Sequence, residues 1–165
     1  MYNILQHTGE ELTLVQPSFF KKKLDLVNGE EILASITLTG RLKAGAVFEI
    51  EEKKWEAKQL SFWKSGIGIF KFGYELPFAV FKQKAFSSSI LELPMGQQLY
   101  FRRRSFGSIV EVINKQGTVL MMLKGKTAIK EKYVITIMKV ARELEEHPWI
   151  VLLPGFISAI KRKNS

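Results

Sequence analysis

Residues 148–160 form the longest apolar stretch of the chain: no charged residue interrupts them, and Ser158 is the only strongly polar one. A helix that is apolar on every face is buried on every face, in a protein core or in a membrane. Because a membrane-spanning helix needs about 20 apolar residues, this stretch is too short to span. It predicts a core helix over residues 147–162, kinked at Pro154-Gly155. The side chains predicted to be buried are Trp149, Ile150, Leu152, Leu153, Phe156, Ile157 and Ile160.

Much of the chain before this helix alternates between apolar and polar residues with a period of two, which is typical of half-buried β-strands. Asn28-Gly29 is the strongest short hairpin signal, and Gln116-Gly117 marks a second turn. The strands follow one another at the spacing of about 8–12 residues that is typical of sandwiches and barrels. About ten to twelve strands are predicted, at residues 12–15, 24–27, 32–38, 46–50, 55–63, 66–73, 78–81, 89–93, 98–101, 109–113, 119–123 and 133–137.

Two hairpins share an order of residues, which indicates an internal repeat. Residues 24–28 run apolar-acidic-apolar-apolar-Asn and are followed by Gly29 and an apolar pair. Residues 110–114 repeat this order before Gly117 and another apolar pair. Chance, or the ordinary composition of hairpins, explains such an echo equally well. If the repeat is genuine, the sheet is built from two related meanders.

A sheet of about a dozen strands in one small domain predicts closure. Open twisted sheets rarely exceed about ten strands without curling or splitting. A closed barrel of that width leaves a lumen too wide for its own side chains to fill, and a helix that is apolar all round is the natural filling. The predicted fold is therefore an all-β, mainly antiparallel barrel of about 12 strands closed around the C-terminal helix, with residues 1–165 as a single domain.

An antiparallel barrel closed around a hydrophobic C-terminal helix resembles the tubby C-terminal domain, the phospholipid scramblases and the LURP-one-related proteins. The features that carry the resemblance are the hairpins at Asn28-Gly29 and Gln116-Gly117 and the apolar helix at residues 148–160. The resemblance implies a non-enzymatic role, often at membranes, and phosphoinositide binding as in tubby-like domains. The chain departs from the scramblases, since it has no cysteine-rich segment, no clustered acidic loop for calcium and no separate span after the barrel. No scramblase or tubby site residue is therefore carried over.

The chain is strongly basic, with 25 lysines and arginines against 16 aspartates and glutamates, a formal charge of +9 and a pI near 9.7. Such a balance favours anionic partners: phosphates, nucleic acid or an acidic membrane surface. The plainer alternative is that the excess charge only maintains solubility. The lack of cysteine excludes disulfides and thiolate metal sites. Since the first residues lack the pattern of a signal peptide, we expect a cytoplasmic protein, peripheral at the inner face of the membrane.

The sequence carries no complete catalytic or metal-binding motif. Residues 125–127 resemble the end of a P-loop, but the opening glycine would fall at Leu120, and a strand follows where a P-loop needs a helix. The two histidines, His7 and His147, lie far apart in sequence. We therefore predict no catalytic residue, no metal site and no cofactor.

The candidate binding residues lie in runs that combine lysines or arginines with aromatic residues. Cations beside rings suit an acidic bilayer, where rings sit at the headgroups, or single-stranded nucleic acid, whose bases stack on rings. The alternative is that the rings fill the core while the cations alternate outward, as a half-buried strand requires. The runs occupy residues 19–23, 62–64, 70–72 and 100–104.

Strand alternation selects the candidates within these runs, because every second side chain of a half-buried strand faces solvent. With the leucines of residues 24–26 and the apolar residues of 99–101 facing inward, the neighbouring cations of alternate parity face outward. Two arginines on one face, two residues apart, suit a bidentate grip on phosphate. A basic tail follows the predicted helix, where cations also complement the helix dipole. The predicted anion- or lipid-binding residues are Lys21, Lys23, Arg102, Arg104, Lys161, Arg162 and Lys163.

Together these patterns predict a non-enzymatic binding module that docks on anionic phospholipid or phosphoinositide at a membrane surface. One alternative is an adaptor barrel that binds nucleic acid or a protein partner. Another is a barrel enzyme whose site no sequence motif reveals. An enzyme would need a concave pocket in which titratable groups converge.

Overall fold

Twelve antiparallel strands close into a barrel within the described residues, which confirms the predicted fold class. The computed structural model describes residues 2–18, 22–40, 44–60, 66–83, 88–104, 108–125 and 132–163, with only the backbone at 162–163. The strands are β1 Glu11–Val15, β2 Lys23–Asn28, β3 Glu31–Thr39, β4 Gly45–Ile50, β5 Lys53–Gln59, β6 Gly66–Lys71, β7 Ala79–Gln83, β8 Ser88–Glu92, β9 Gln98–Arg104, β10 Ile109–Ile113, β11 Val119–Gly125 and β12 Lys132–Ile137.

The strands form an up-and-down meander. Each strand pairs with its neighbours in sequence, and β1 pairs with β12 to close the ring. Odd-numbered strands therefore finish, and even-numbered strands begin, at the same end of the barrel. The opposite end carries the remaining connections, a 3-10 helix at Asn3–His7 before β1, and α1 (Arg142–Glu146) after β12. Closure leaves no open sheet edge that another chain can extend.

Side chains alternate along the strands between the lumen and the outer wall. On β4, Ala46, Phe48 and Ile50 are buried in the lumen, whereas Glu49 is exposed on the outer wall. This period of two is the pattern from which the strands were predicted, and it follows from the pleat of the strand. The apolar half of each strand thus supplies the wall of one continuous core.

The C-terminal segment fills the lumen. A 3-10 helix at Pro148–Val151 leads into α2 (Leu153–Lys163). Six of the seven large apolar side chains predicted to be buried are buried, and the seventh, Ile160, is half-buried against the core. The enclosure of this segment therefore confirms the interpretation of its uninterrupted apolar pattern.

The break between the two helices lies at Leu152, before the predicted kink at Pro154-Gly155. Leu152 caps the 3-10 helix with φ −89° and ψ −21°, and Pro154 stands in the first turn of α2, where its missing N–H is not needed. Gly155 has a packing role, because a Cβ there would overlap the side chain of Leu14 on β1. The single kinked helix predicted for residues 147–162 was wrong in this respect: a second helix starts at Leu153, with the proline in its first turn.

The two hairpins of the sequence repeat share one irregularity. Pairing of β2 with β3 shifts register between Leu26 and Val27. Pairing of β10 with β11 shifts between Val112 and Ile113, which are the corresponding residues of the repeat. The acidic residue of each repeat is also buried. A shared bulge position and a shared buried carboxylate favour a genuine repeat over chance.

Leu153 lies fully buried at the start of α2. Leu153→Asp should prevent folding, because an unpaired buried charge costs several kcal/mol, which is comparable with the whole stability of a domain, about 5–15 kcal/mol. Circular dichroism and thermal melting measure the effect. The matched control is Ile32→Asp on β3, where the side chain is 60% exposed and the fold should survive. A Leu153→Asp variant with a native spectrum would contradict the enclosed helix.

His147 connects α1 to the 3-10 helix and packs among aromatic rings. Its ring stacks on Phe78 at a centroid distance of 6.0 Å and meets the edge of Trp149 at 5.7 Å. Burial lowers the pKa of His147 below its ordinary 6.5, and the Glu146 carboxylate opposes this effect less strongly. As the pH falls through about 6.5, the unfolded chain therefore takes up a proton that the folded state resists, and stability decreases.

We expect the free energy of unfolding to decrease as the pH is lowered from about 7.5 to about 5.5 through this effect. His147→Gln should remove that part of the decrease, because glutamine does not titrate. Urea denaturation of both proteins at the two pH values measures the difference. An identical pH dependence in the variant would show that His147 is not held in its neutral form by the fold.

Candidate anion-binding site

The described charges are divided between the two ends of the barrel. We call the end where odd-numbered strands finish the basic end, and it is also the end reached by the C-terminal half of α2. In the outer three residues of its strands and in its described connections, the carboxylates are Asp25 and Glu111. The basic residues there are Lys22, Lys23, Lys58, Lys82, Arg102, Arg103, Arg104, Lys124, Lys132 and Lys161. Two of these lysines pair with carboxylates nearer the middle of the wall: Lys58 with Glu56 at 3.5 Å and Lys82 with Glu92 at 3.2 Å.

The opposite end, which we call the acidic end, carries the reverse balance. Its described basic residues are Lys53, Lys54, Lys71, Lys115, Lys139 and Arg142. Its described carboxylates are Glu10, Glu11, Glu30, Glu31, Glu49, Glu51, Glu52, Glu75, Glu92, Glu143, Glu145 and Glu146. Since α2 runs towards the basic end, Lys161 in its last turns complements the negative end of its macrodipole.

The predicted binding residue Lys21, with the basic-aromatic stretches 19–21 and 62–64, lies outside the part of the chain that the structure describes. The site is therefore built from described residues alone.

Arg102 and Arg104 lie on the outer wall, as strand alternation predicts, and both bind one carboxylate. Glu111 Oε1 accepts hydrogen bonds from Arg102 Nε at 3.2 Å, Arg102 Nη2 at 3.0 Å and Arg104 Nη1 at 3.3 Å. Glu111 is only 4% exposed, whereas both arginines are exposed. The two arginines therefore neutralise a buried carboxylate, and the trio adds one net positive charge to the surface.

Lys23 is placed in a similar way on β2. Its Nζ lies 3.6 Å from Oδ1 of the buried Asp25, and that oxygen makes no hydrogen bond. Four strands, β1, β12, β11 and β10, separate β2 from β9 in the ring. Lys23 and Arg102 therefore do not form one patch on the wall of the barrel, and what they share is the basic end.

The basic tail belongs to α2, which extends to Lys163. Lys161 is half-buried and lines the mouth of the barrel at the basic end. The side chains of Arg162 and Lys163 lie outside the described part of the chain. Of the three predicted tail residues, Lys161 is therefore the one whose side chain can be assigned to the site.

Arg103 is the candidate residue that the sequence analysis missed. It follows Phe101 on the inward side of β9 and pairs with Val110, which is buried in the lumen. Its side chain lines a crevice at the barrel mouth together with Ser158 of α2. The same alternation that places Arg102 outside implies that Arg103 faces inward, so the signal was present in the sequence.

Arg103 and Lys161 influence each other in the mouth. Burial lowers the pKa of the Arg103 guanidinium below its ordinary 12.5. The pKa of Lys161 is lowered below 10.5 by burial and, to a smaller extent, by the charge of Arg103. Neither side chain has a carboxylate partner among the described residues. The mouth is therefore a positively charged concavity.

A cavity of about 250 Å³ opens in the mouth between α2 and strands β5–β7. The crevice that contains Arg103 adjoins it, since Phe81 and Ile157 line both, and at about 10 Å³ it holds one water at most. The polar side chains of the cavity are Gln59, Gln83 and Lys161, and the larger apolar ones are Ile67, Phe81, Ile157 and Ile160. Cations, amides and apolar surface together suit an anion that carries an apolar group.

The acidic end holds the other polar arrangements. His7 Nδ1 lies 2.7 Å from Glu10 Oε2 and 3.1 Å from Asn28 Nδ2. An open cleft of about 660 Å³ is lined by Tyr2, Glu51, Lys53 and Glu145. Among the described residues no group of three or more histidines, aspartates and glutamates is placed to hold a metal ion. Of these described hollows, the one in which basic side chains meet apolar surface is the mouth at the basic end.

No protein-family model, curated protein or solved structure matches this chain. No helix in the described ranges combines the length and the apolar character that crossing a membrane requires. The assignment of a site therefore depends on the geometry and the charges of the chain itself.

Glu111→Gln tests the buried ion pair. The substitution keeps the shape of the side chain but removes the charge that Arg102 and Arg104 bind. The free energy of unfolding should therefore decrease by about 1–3 kcal/mol. Urea denaturation measures the change. Glu92→Gln is the matched control, because the Glu92–Lys82 pair (3.2 Å) is exposed and should contribute less than about 1 kcal/mol. Equal losses in the two variants would contradict a special role for Glu111.

Proposed function

We propose that the chain is a non-enzymatic binding module of the tubby-like kind that docks its basic end on anionic phospholipid at the inner face of a membrane. The observation that carries the proposal is the separation of charge between the two ends of the barrel. The described basic residues converge on one end, whereas carboxylates dominate the other. The resemblance to tubby-like domains, which rests on the hairpins and the apolar helix, supports the same choice of ligand.

Charge separation of this kind orients a protein at an acidic surface. Each basic residue near such a surface contributes about 1 kcal/mol, and the effect decays over a Debye length of about 8 Å at physiological salt. A six-residue strand such as β2 (Lys23–Asn28) spans roughly 20 Å. The carboxylates at the far tip of the acidic end, such as Glu51 and Glu52, therefore lie beyond the reach of a membrane that contacts the basic end, whereas Glu92 is nearer because it pairs with Lys82 at 3.2 Å.

Lipid is favoured over single-stranded nucleic acid by the position of the described aromatic rings. Phe101 is buried in the lumen, and Phe70 is buried on the outer wall, where it covers Gly68. Lys58 Nζ lies 5.0 Å from the centre of the Phe70 ring. Bases need exposed ring faces on which to stack, whereas phospholipid headgroups are attracted by charge alone. The exposed rings that lie beside lysines, Phe72 and Tyr74, are at the acidic end, away from the concentration of positive charge.

A protein partner at the acidic end is the second candidate, and the exposed apolar side chains there favour it. Leu76, between β6 and β7, is 81% exposed, and Met95, between β8 and β9, is fully exposed. The carboxylates of Glu75 and Glu92 belong to the same two hairpins. Apolar side chains rimmed by carboxylates suit a basic, apolar segment of another protein. Such a partner leaves the basic end free for the membrane.

Two pairs of charge reversals test the docking of the basic end. Lys124→Glu with Lys132→Glu changes the basic end, and Lys115→Glu with Lys139→Glu changes the acidic end by the same net charge. All four lysines are exposed. Binding to phosphatidylcholine vesicles that contain phosphatidylserine should weaken about tenfold or more in the first double variant. It should change much less in the second, because those residues lie beyond the Debye length.

The pattern of results separates the alternatives. Equal weakening in both double variants would mean that net charge alone, without orientation, attracts the protein to the vesicles. Tighter binding of a single-stranded oligonucleotide than of vesicles at matched salt would favour the nucleic-acid alternative. No vesicle binding by the unaltered protein at low salt would overturn the proposal.

A further inference from the structure

Two cations converge inside the mouth of the barrel, away from the carboxylates of the same end. Arg103 enters from the inward side of β9, and Lys161 enters from the last turns of α2. Among the described residues of this end, the carboxylates are Asp25 and Glu111, and both lie on the outer wall. The positive charge inside the mouth is therefore not neutralised by the described part of the chain.

The burial of Arg103 and Lys161 close together destabilises the folded state. Both side chains lose hydration on burial, which lowers the pKa of each, and the charge of Arg103 lowers the pKa of Lys161 further. Arg103 and Lys161 line adjoining hollows of the mouth, and clefts that contain perturbed titratable groups are candidate functional sites. The cations also complement the negative C-terminus of α2. That effect accounts for Lys161, but it requires neither an inward arginine on β9 nor an adjoining cavity.

The adjoining cavity indicates which chemical group is attached to the bound anion. Its volume of about 250 Å³ is slightly below the range of about 300–1,000 Å³ that is usual for small-molecule pockets. It therefore has room for a headgroup or a short alkyl segment, and not for a whole lipid. The side-chain amides of Gln59 and Gln83 supply hydrogen-bonding groups, and Ile157 and Ile160 supply apolar contact.

We propose that Arg103 and Lys161 form a phosphate-binding subsite in the barrel mouth, with the neighbouring cavity holding the group esterified to that phosphate. Because the crevice beside Arg103 holds one water at most, the phosphate lies at its opening towards the larger cavity. There the guanidinium fork binds two phosphate oxygens, and the ammonium adds a point charge. The phosphate comes either from a phospholipid at the docked membrane or from a water-soluble phosphate ester. The first source rests on the proposed function, whereas the second is independent of it.

Isothermal titration of the whole chain with a short-chain lipid tests the subsite. The probe is dihexanoyl phosphatidic acid below its micelle concentration, compared with inorganic phosphate and with dihexanoyl phosphatidylcholine. Arg103→Gln with Lys161→Gln should weaken binding of the phosphatidic acid about tenfold or more, because charge-assisted hydrogen bonds are lost. Lys115→Gln with Lys139→Gln is the matched control, with the same charge change on exposed residues of the acidic end, and should weaken binding by about threefold at most.

A thermal melt without ligand separates binding from a structural role. If the pair is held for a ligand, Arg103→Gln with Lys161→Gln should raise the melting temperature, since the variant relieves repulsion and desolvation. A lower melting temperature would assign the cations to the helix dipole and overturn the subsite. Equal affinity for inorganic phosphate and for phosphatidic acid would also overturn it, because the cavity would then contribute nothing.

The outcomes also distinguish this inference from membrane docking. If the unaltered protein binds acidic vesicles but the Arg103 and Lys161 substitutions do not affect the short-chain lipid, the subsite is wrong and docking stands. If those substitutions abolish binding of the short-chain lipid while vesicles are not bound at all, the subsite stands for a soluble phosphate ester and membrane docking is wrong.

Discussion

The filling of the lumen by α2 is the constraint on which the rest of the structure depends. A ring of twelve strands is too wide for its own side chains to fill, and a helix with one polar face would leave that face buried. The helix meets the wall closely: Phe156 packs edge-on against Phe48 at 5.7 Å, and Gly155 admits the side chain of Leu14. Barrel and helix therefore stabilise each other, and neither buries its apolar surface alone.

The up-and-down order of the strands determines which charges lie at which end of the barrel. In an up-and-down barrel, alternate connections share an end, so basic and acidic strand ends that alternate along the sequence become segregated in space. At the end where α2 finishes, the described basic residues outnumber the carboxylates, and a cavity of about 250 Å³ opens there. An anion therefore meets positive charge and a concave surface at the same end of the described structure.

Much of the fold was predictable because it depends on local patterns: period-two alternation gave the strands, and the uncharged C-terminal stretch gave the enclosed helix. The division of that stretch into two helices at Leu152 was not predictable, because tertiary packing decides where a helix begins near a proline. At the site, alternation correctly placed Arg102 and Arg104 on the outer wall. The same rule implies that Arg103 faces the lumen, but Arg103 was not among the predicted site residues. The partnership of both arginines with Glu111 depends on the pairing of β9 with β10, which a single strand's pattern does not contain.

Hydrogen exchange in the presence of acidic vesicles tests most directly whether this polarity orients the protein at a membrane. Backbone amides at the basic end, in residues 100–104, 132–134 and 158–163, should exchange more slowly when phosphatidylserine vesicles are added. Amides of the acidic end, in residues 138–147, should exchange as they do in free protein. Slower exchange at residues 138–147, with no change at the basic end, would contradict the account.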